Sequence, residues 1–284
     1  MRCLVLGGTG MLGRAVVREA REQGHEALGL SHALGDVTSR ESLLSWADSF
    51  APGVVINCAA FTKVDACETE PETAFRVNGE GVANAVAAAD RTGARLLHVS
   101  SDYVFDGTAR EPYQEDAATG PLSVYGKSKL LGERHALEYP QGLVVRTSWL
   151  FGPGGPNFAA TMVNLIRQGK LPLRVVDDQV GRPTYTGFLA RALVDLAPSK
   201  IAGIVHYGNR EPVSWYSFAA TIARLVSPEA QVLPVSTAEF PRPAPRPAYS
   251  VLAVDRFEAA VGRPVEPWEA GLSEYLVLLN GGRS

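Results

Sequence analysis

Short apolar runs alternate with amphipathic segments through the first half of the chain. The amphipathic segments at residues 11–23, 40–50 and 64–91 repeat apolar residues at helical spacing. Between them lie the apolar runs that predict strands, namely "CLVLGG", "EALGL", "GVVINCAA", "RLLHVSS" and "GLVVRTSW". Strands that alternate with helices build a parallel sheet with helices packed on its faces. The pattern therefore predicts an α/β fold with a doubly wound parallel sheet.

The ends of several predicted helices carry recognisable signals. Gly24 follows the first helix as its predicted C-cap, and Thr38 with Glu41 forms a predicted capping box for the second. After Trp149 the segment "LFGPGGPN" concentrates glycine and proline in a loop. The next helix is expected to begin near Asn157.

The loop after residue 149 is the predicted boundary between two structural units. Because "LPLRVVDD" and "GIVHYGN" continue the alternation, we expect part of the later chain to rejoin the first sheet. This predicts a larger unit of residues 1–150 with about 175–208, and a smaller, discontinuous C-terminal lobe of about 151–174 with 209–284. Near the C-terminus, "FPRPAPRPAY" predicts an extended path, either as a rigid surface connector or as a loop that covers a ligand.

Composition narrows the classes of partner. The 284 residues are 46% hydrophobic and carry a formal net charge of -3, which argues against nucleic acid or an anionic membrane as the main partner. Three cysteines, Cys3, Cys58 and Cys67, show neither zinc-ligand nor disulfide-framework spacing. The chain begins directly with an apolar run, without a charged leader or a stretch of membrane-spanning length, so we expect a cytoplasmic protein.

A glycine-rich turn follows the first predicted strand. In "LVLGGTGMLGRAVV", Gly7, Gly10 and Gly13 lie between a strand and a helix. Glycine there permits a tight bend and a close approach of backbone to a pyrophosphate, while the helix N-terminus supplies N–H groups and a positive dipole end. Because the turn is at the first strand-to-helix junction of an alternating chain, it predicts a Rossmann-type dinucleotide site.

Tyr125 and Lys129 are four residues apart in "VYGKSKLLGE" and share one face of a predicted helix. The pKa of a free tyrosine is near 10, so a tyrosine that exchanges a proton near neutral pH needs a positive charge to stabilise its phenolate. Lys129 would supply that charge. Ser101, at the end of the strand "RLLHVSS", adds a hydroxyl that would hydrogen-bond and polarise a substrate carbonyl.

These motifs resemble the short-chain dehydrogenase/reductase superfamily, which has the G-x-x-G-x-x-G spacing and the Y-x-x-x-K pair. Within it the chain resembles the dTDP-4-dehydrorhamnose reductases. The blocks that carry this resemblance occur in order over most of the chain: "GGTGMLG", "INCAAFTKVDACE", "HVSSDYVFDG", "PLSVYGKSKLLGE", "VVRTSWLFG", "NFAATM", "DDQVGRPT" and "RPAYSVL".

The resemblance implies a reduction at a sugar carbonyl. Hydride from NAD(P)H would pass to C4 of dTDP-4-dehydro-β-L-rhamnose, with Tyr125 as proton donor, to give dTDP-L-rhamnose. The larger unit would bind the dinucleotide and the smaller lobe the substrate. Dehydratase relatives carry paired Asp-Glu after the strand-end hydroxyl, whereas this chain has Asp102 and Tyr103, so dehydration is not expected.

The resemblance also implies site residues. The expected catalytic residues are Ser101, Tyr125 and Lys129. The expected cofactor contacts are Gly7, Gly10, Met11, Leu12, Gly13, Asp36, Val37, Ala59, Ala60, Tyr125 and Lys129. The expected substrate contacts are Ser101, Asp102, Tyr125, Trp149, Asn157, Arg182 and Arg246, although either arginine alone could be an ordinary ion-pair partner. Thr62 and Asn78 also match family positions.

Cofactor choice depends on the end of the second strand. An acid there would bind a ribose 2′-hydroxyl and repel a 2′-phosphate, but this strand ends at residues 30–32 without one. Ser31, His32 and Arg14 could accept a phosphate, so NADPH is favoured and NADH is possible. No cluster of His, Asp and Glu indicates a metal site, and none is expected.

Two other functions remain open. A regulatory binding protein is one, because the same branch includes a non-catalytic subunit of methionine adenosyltransferase. A reductase or epimerase acting on another nucleotide sugar is the other. The substrate is expected to be a dTDP-sugar, with nucleic acid and membrane excluded as partners and a homodimer as an expectation of the family only.

Overall fold

The strands of the computed structural model, which describes residues 1–281, comprise one large sheet and three short two-stranded ones. In chain order they are β1 Arg2–Leu6, β2 Glu26–Leu30, β3 Val54–Asn57, β4 Arg95–Ser101, β5 Gly142–Thr147, β6 Leu150–Phe151, β7 Leu173–Val176, β8 Val180–Gly181, β9 Thr184–Tyr185, β10 Gly203–His206, β11 Val213–Ser214 and β12 Val232–Val235.

Helices connect most of these strands. They are α1 Met11–Glu22, α2 Arg40–Phe50, α3 Val64–Thr69, α4 Pro71–Phe75, α5 Gly81–Thr92, α6 Val124–Glu138, α7 Phe158–Arg167, α8 Thr186–Leu196, α9 Trp215–Val226, α10 Asp255–Val261 and α11 Trp268–Gly281. A π-helical turn, Arg76–Glu80, joins α4 to α5, and 3₁₀ turns form at Asp102–Val104 and Thr237–Glu239. Within residues 1–281, no helix has both the length and the apolar character that a membrane span requires.

The six-stranded sheet has the order β10-β5-β4-β3-β1-β2, and every neighbouring pair in it is parallel. The chain moves outward from β1 in one direction and then returns to build the other half, which is a doubly wound arrangement. The predicted α/β fold with this sheet is confirmed. The carboxyl ends of β1, β3, β4 and β5 therefore meet at one edge, where ligands of such sheets bind.

Two hydrophobic cores cover the two faces of the sheet. On one face, Leu43 and Ala47 of α2 and Ala85 of α5 pack against the strands with α6. On the other face, α1 and α8 pack together, and the same core continues into α7, α9 and α11. Because α7, α9 and α11 share that core, the later part of the chain is anchored to the sheet by apolar packing as well as by the chain connections.

The later chain divides between the large sheet and the smaller ones. Strand β10 pairs with β5 and so rejoins the first sheet, whereas β7 pairs with β12, β8 with β11 and β9 with β6. Since β7 ends at Val176, the chain that returns to the large sheet lies beyond that residue. The division into a dinucleotide unit and a substrate lobe stays a prediction.

Residues 240–250, called the strap below, are hydrogen-bonded both to the segment after β4 and to β8. Tyr249 donates its N–H to the carbonyl of Gly107 at 3.3 Å, in the segment after β4. Val180 of β8 donates to the carbonyl of Ala248 at 2.8 Å and accepts from the N–H of Ser250 at 2.9 Å. The strap thus crosses the molecule as a hydrogen-bonded segment.

The predicted capping box of Thr38 with Glu41 is wrong. Ser39 is the N-cap of α2, and its hydroxyl oxygen accepts from the Ser42 N–H at 3.3 Å. The Thr38 N–H instead donates to the side chain of Asp36 at 2.9 Å. This short turn precedes the helix, so the cap falls one residue later than the sequence pattern suggests.

We expect Ser39→Ala to lower the free energy of unfolding by about 1 kcal/mol, because it removes the side-chain acceptor at the start of α2. Urea unfolding followed by circular dichroism measures the change. Ser45→Ala is the control, since Ser45 is exposed in the interior of the same helix and alanine there should cost nothing. Equal stability of Ser39→Ala and wild type would contradict the assigned cap.

Candidate active site

The glycine-rich turn between β1 and α1 is built for close backbone contact. Gly7 has a φ of +70°, and a Cβ there would lie 2.8 Å from the Ala59 Cα. A Cβ at Gly13 would overlap the Gly7 carbonyl oxygen. Gly10, the N-cap of α1, provides no side-chain cap, so the N–H groups of Met11 and Leu12 face no capping side chain. The turn therefore leaves a backbone cradle of the kind that fits a pyrophosphate.

The remaining predicted cofactor residues lie on the loops that follow the neighbouring strands. Asp36 and Val37 follow β2, where the Asp36 carboxylate lies 3.5 Å from His32 and the Val37 carbonyl accepts from Asn84 at 2.9 Å. Ala59 and Ala60 follow β3, and the Ala59 N–H donates to Asn57 at 3.1 Å. All four positions belong to the carboxyl edge of the sheet, beside the glycine turn.

Close packing of α6 on the sheet brings Ser101 and Tyr125 together. Ser123 caps α6 by accepting from the Gly126 N–H at 3.1 Å. A Cβ at Gly126 would overlap the Tyr103 carbonyl oxygen, so glycine after Tyr125 lets the helix start press against the turn at the end of β4. The Tyr125 phenol then lies beside the Ser101 hydroxyl. These two residues are both buried.

The Lys129 ammonium is buried beneath the same helix. Its side chain is 2% exposed, and Nζ donates to the Val99 carbonyl at 2.7 Å. Burial lowers the pKa of Lys129 to about 8, against the opposing charge of Glu133. Burial also raises the pKa of Tyr125, with the neighbouring Ser101 hydroxyl acting in the opposite direction. Tyr125 is therefore held as a neutral phenol, which is the form that donates a proton.

Asp102 is a buried carboxyl next to the Ser101 hydroxyl. Ser101 Oγ donates to Asp102 Oδ1 at 3.0 Å and accepts from the Tyr103 N–H at 3.2 Å. Asp102 is 1% exposed. Burial raises its pKa to about 6, although the nearby hydroxyls of Ser250 and Ser101 oppose that effect. The strap, through Ser250, thus comes to the same turn that carries the strand-end hydroxyl.

Asn78 supports the backbone beside this site. It lies in the π-helical turn, where Oδ1 accepts from the Phe61 N–H at 2.8 Å and Nδ2 donates to the Phe61 carbonyl at 3.1 Å. Nδ2 also donates to the Ser128 hydroxyl of α6 at 3.0 Å. Asn78 therefore joins the segment after β3 to α6, and Thr62 follows Phe61 in that segment.

A cavity of about 590 Å³ lies beside the candidate catalytic residues. Tyr103, whose ring packs edge-on against Tyr125 with centroids 5.6 Å apart, forms part of its wall. The other lining residues are Phe158, Thr161, Met162, Arg174, Val175, Val176, Gln179, Trp215, Thr237, Phe240, Pro241, Arg242, Ala244, Pro245 and Arg246. Since the strap supplies six of these residues, the proline-rich segment covers the cavity and is not a remote surface connector.

Three arginines line the cavity, and each has a carboxylate partner. Arg246 donates to Asp65 at 2.6 Å, and Arg242 lies 3.8 Å from the same carboxylate. Arg174 pairs with Glu239 at 3.1 Å. Arg246 was expected from the sequence, whereas Arg174 and Arg242 were not, because a lone surface arginine carries no signal of its own.

Trp149 lies behind the cavity wall. Its ring stacks on Trp215 with centroids 3.5 Å apart and planes 7° from parallel. Its backbone has a φ of +48°, a left-handed conformation that is uncommon for a bulky residue. Trp215, which lines the cavity, was missed by the sequence reasoning; aromatic spacing in "SWYSF" could have indicated only a helix start.

Arg182 and Asn157 are both bonded within the protein. Arg182 Nη1 donates to the Asn209 carbonyl at 3.1 Å. Asn157 is the N-cap of α7, where Oδ1 accepts from the Ala160 N–H at 2.9 Å and Nδ2 donates to Tyr275 Oη at 3.0 Å. Their contacts with a substrate stay predictions, and the structure gives Asn157 a structural function that accounts for its position.

Within residues 1–281, no group of three or more His, Cys, Asp or Glu side chains is arranged to hold a metal ion. The three cysteines are free thiols. Burial raises the pKa of Cys58 to about 12 and that of Cys67 to about 11, so both are neutral near the site.

Comparisons with known proteins agree over the whole chain. The family model described as "RmlD substrate binding domain" matches residues 1–280. The dTDP-4-dehydrorhamnose reductase of Streptomyces griseus is 42% identical over 288 residues, covering 99% of this chain and 94% of that protein. The probable dTDP-4,6-dihydroxy-2-methyloxan-3-one 4-ketoreductase of Streptomyces antibioticus is 40% identical over 280 residues, covering 96% and 94%.

Solved structures are also similar over almost the full length. One of them is the dTDP-4-dehydrorhamnose reductase of Bacillus anthracis in complex with NADP, with a TM-score of 0.92 and 34% sequence identity. The match covers 97% of this chain and 98% of that chain.

We expect Asp102→Asn to become more stable relative to wild type as the pH rises. The folded-state pKa of Asp102 lies above that of a free carboxyl, so its stabilising contribution is complete below about pH 4 and is lost as the pH rises through about 6. A separation of about two pH units corresponds to about 3 kcal/mol. Urea unfolding at pH 4 and at pH 8 measures the difference.

Asp48→Asn is the control for this experiment. Asp48 is exposed and its hydrogen bond with Arg91 lowers its pKa, so its removal should not reproduce that trend. The same stability difference between Asp102→Asn and wild type at both pH values would contradict the assignment.

Proposed function

The chain belongs to the RmlD substrate-binding-domain family, whose model matches residues 1–280, and from this premise we propose that it reduces the 4-keto group of a dTDP-linked 4-keto-6-deoxy sugar. The proposed substrate is dTDP-4-dehydro-β-L-rhamnose and the product dTDP-L-rhamnose. Reductases named for this reaction, or for a 4-ketoreduction of a related dTDP-sugar, are 40% or more identical to the chain over nearly its full length.

A single observation carries the proposal. Ser101, Tyr125 and the buried Lys129 meet at the carboxyl edge of the sheet, between a glycine cradle on one side and an arginine-lined cavity on the other. The cradle suits a dinucleotide and the arginines suit a diphosphate, because a planar guanidinium can donate two hydrogen bonds to one anionic group. A carbonyl between them would be within reach of both hydroxyls.

Three side chains of the protein would act on the substrate carbonyl or on the proton donor. When bound, NADPH supplies the hydride. Ser101 turns its hydroxyl proton from Asp102 to the C4 oxygen, and this hydrogen bond stabilises the negative charge that develops there. Tyr125 donates its proton to the same oxygen and completes the alcohol. Lys129 keeps a positive charge near the phenolate that remains, which lowers the cost of leaving charge on a buried tyrosine.

The substrate would lie in the cavity beneath the strap. Arg246 and Arg242 would bind the diphosphate, and they would exchange their contacts with Asp65 for contacts with phosphate oxygens. Trp215, held by its stack on Trp149, provides an apolar wall for the sugar or the base. Asp102 would lie near the reacting end because it directly follows Ser101 in the chain.

NADPH is the proposed cofactor, with NADH as a second possibility. Strand β2 ends at Leu30 without an acid, and the exposed side chains of His32 and Arg14 could donate hydrogen bonds to a phosphate there. The similar reductase solved with NADP supports this choice. Conversely, an acid at this strand end would be expected of an NAD-selective enzyme.

A closely related dTDP-sugar is the alternative substrate, because the Streptomyces antibioticus relative is named for a different 4-ketoreduction at 40% identity. Retention of the serine, tyrosine and lysine favours catalysis over a non-catalytic regulatory subunit. A homodimer and a cytoplasmic location stay predictions, and each would follow from a biosynthetic reductase of this family.

We expect Tyr125→Phe to lower kcat by about 10²–10⁴-fold, the range that a positioned proton donor contributes. NADPH absorbance at saturating dTDP-4-dehydrorhamnose measures turnover. Tyr103→Phe is the matched control, since Tyr103 packs against Tyr125 and lines the cavity but is not the proposed donor, and it should cost less than about tenfold.

Three results would decide the assignment. If the cofactor affinity of Tyr125→Phe equals that of wild type, the loss of kcat lies in the chemical step. Failure of a folded, NADPH-binding wild type to oxidise NADPH with this sugar excludes the rhamnose assignment and directs attention to related dTDP-sugars. An equal loss in both tyrosine variants would contradict the assignment of Tyr125 as donor.

We expect Ser31→Asp to change the preference of the enzyme from NADPH towards NADH. The added carboxylate lies directly after β2, where it would repel a 2′-phosphate and accept from a 2′-hydroxyl. The ratio of kcat/KM for NADPH to that for NADH should fall by at least about tenfold, a factor that corresponds to about 1.4 kcal/mol. Ser45→Asp, on the exposed side of α2, should leave the ratio unchanged. An unchanged ratio in Ser31→Asp would mean that the 2′-phosphate of NADPH does not bind beside residue 31.

A further inference from the structure

A buried polar cluster lies directly beneath the catalytic residues. Glu133 of α6 is 1% exposed and Arg146 of β5 is 2% exposed. Their side chains form a two-point ion pair, with Arg146 Nε donating to Glu133 Oε1 at 2.8 Å and Nη2 to Oε2 at 2.7 Å. Ser100 of β4 also donates to Glu133 Oε1 at 2.6 Å. The carboxylate thus receives three hydrogen bonds inside the protein.

The position of Glu133 relates it to the catalytic pair. Tyr125, Lys129 and Glu133 are spaced four residues apart, so they lie on one face of α6. All three are buried against the sheet. Ser100 and Arg146, which hold Glu133, pair directly across β4 and β5 and precede Ser101 and Thr147 by one residue. The cluster therefore ties α6 to the two strands at the level of the active site.

Burial makes a counter-charge for Lys129 necessary. A protonated ammonium inside a protein is costly unless an opposite charge or strong acceptors accompany it. The neighbours of Lys129 on other elements are Cys58, which follows β3, and His98 of β4. Burial keeps the Cys58 thiol neutral by raising its pKa to about 12, and burial holds the pKa of His98 well below its usual value. Tyr125 is a neutral phenol. Among these neighbours of Lys129, Glu133 is therefore the anionic side chain, on the same face of α6.

On the far side of the cluster, the polar neighbours of Arg146 are His206 and Glu115. His206 of β10 lies 3.4 Å from Arg146 and binds the Tyr113 carbonyl through Nδ1 at 3.1 Å. Burial first, and the Arg146 charge second, lower the pKa of His206 to about 3, so it is neutral. Glu115 accepts from the His206 N–H through Oε1 at 3.1 Å, and its main-chain carbonyl is 3.4 Å from Arg146. Arg146 is thus the fixed cation that keeps the Glu133 carboxylate in place.

We propose that Glu133 is a positioning residue for the reduction: held by Arg146 and Ser100, its carboxylate is the counter-charge that keeps the buried Lys129 side chain protonated beside Tyr125. The relevance to catalysis rests on the proposed function, in which Lys129 acts on Tyr125. The counter-charge itself is a property of the folded protein and can be measured without turnover.

The first measurement is the titration of Lys129 in the free protein. We expect the ¹³Cε resonance of Lys129, assigned with Lys129→Arg, to titrate at least about one pH unit lower in Glu133→Gln than in wild type, because the variant loses the charge that opposes desolvation. Glu133→Asp, which retains the charge, should titrate close to wild type. Glu138→Gln, an exposed residue of the same helix, should have no effect.

The second measurement is kcat against pH at saturating NADPH and dTDP-4-dehydrorhamnose. Loss of the Lys129 proton should lower kcat on the alkaline side of the wild-type profile. In Glu133→Gln this decline should begin at least about one pH unit lower, so that kcat falls about tenfold relative to wild type on the alkaline side and changes little at pH 6. A merely structural defect would lower kcat at every pH without moving the decline.

Removal of Glu133 alone leaves a buried arginine unpaired, which can prevent folding. Glu133→Gln combined with Arg146→Met removes both charges, and the Lys129 titration should move in the same direction by a smaller amount, because the loss of the Arg146 cation partly offsets the loss of the Glu133 anion. A Lys129 titration at the wild-type pH in either folded variant overturns the proposal. A shifted titration in a protein whose wild type does not reduce the sugar supports the counter-charge and instead contradicts the proposed function.

Discussion

The active site depends on how closely α6 approaches the sheet. Two glycines permit this approach, because a Cβ at Gly126 would overlap the Tyr103 carbonyl oxygen and one at Gly132 would overlap the Asn78 carbonyl oxygen. With the helix in this position, Tyr125 reaches Ser101 at the end of β4, and Lys129 reaches a carbonyl of the same strand. A helix held further out would leave both side chains in solvent, where neither their orientation nor their ionisation would be controlled.

The close approach has an electrostatic cost, and the arrangement of charges under α6 offsets it. Buried ionisable groups favour their neutral forms, and this holds here for Tyr125, Cys58 and His98. Lys129 is the group that must stay charged, and it has a main-chain acceptor in Val99 and an anionic neighbour in Glu133. The candidate active site at the carboxyl edge of the sheet is thereby linked to the buried ion pair of Glu133 and Arg146.

The sequence predicts the fold well and indicates the candidate catalytic residues, because both depend on local patterns. Alternating apolar runs indicate the parallel sheet, and the glycine turn and the tyrosine–lysine spacing each lie within one short segment. The cavity is different, since Trp215, Arg174 and Arg242 come from separate segments and meet only through the tertiary fold. Glu133 and Arg146 were also missed as a pair, because nothing in either local pattern shows that the two will be buried together. The N-cap of α2 was misplaced by one residue for a local reason, the competing turn at Asp36.

The order of strands in the sheet has a consequence for how the chain is synthesised. Strand β10, which covers the outer edge of β5, begins only at residue 203, whereas β5 is complete at residue 147. A nascent chain that emerges from the ribosome therefore has an open sheet edge at β5, with its unpaired backbone groups exposed, until more than fifty further residues have been added. Arg146 lies on that edge, so the last strand to join both closes the sheet and seals the ion pair beneath the active site.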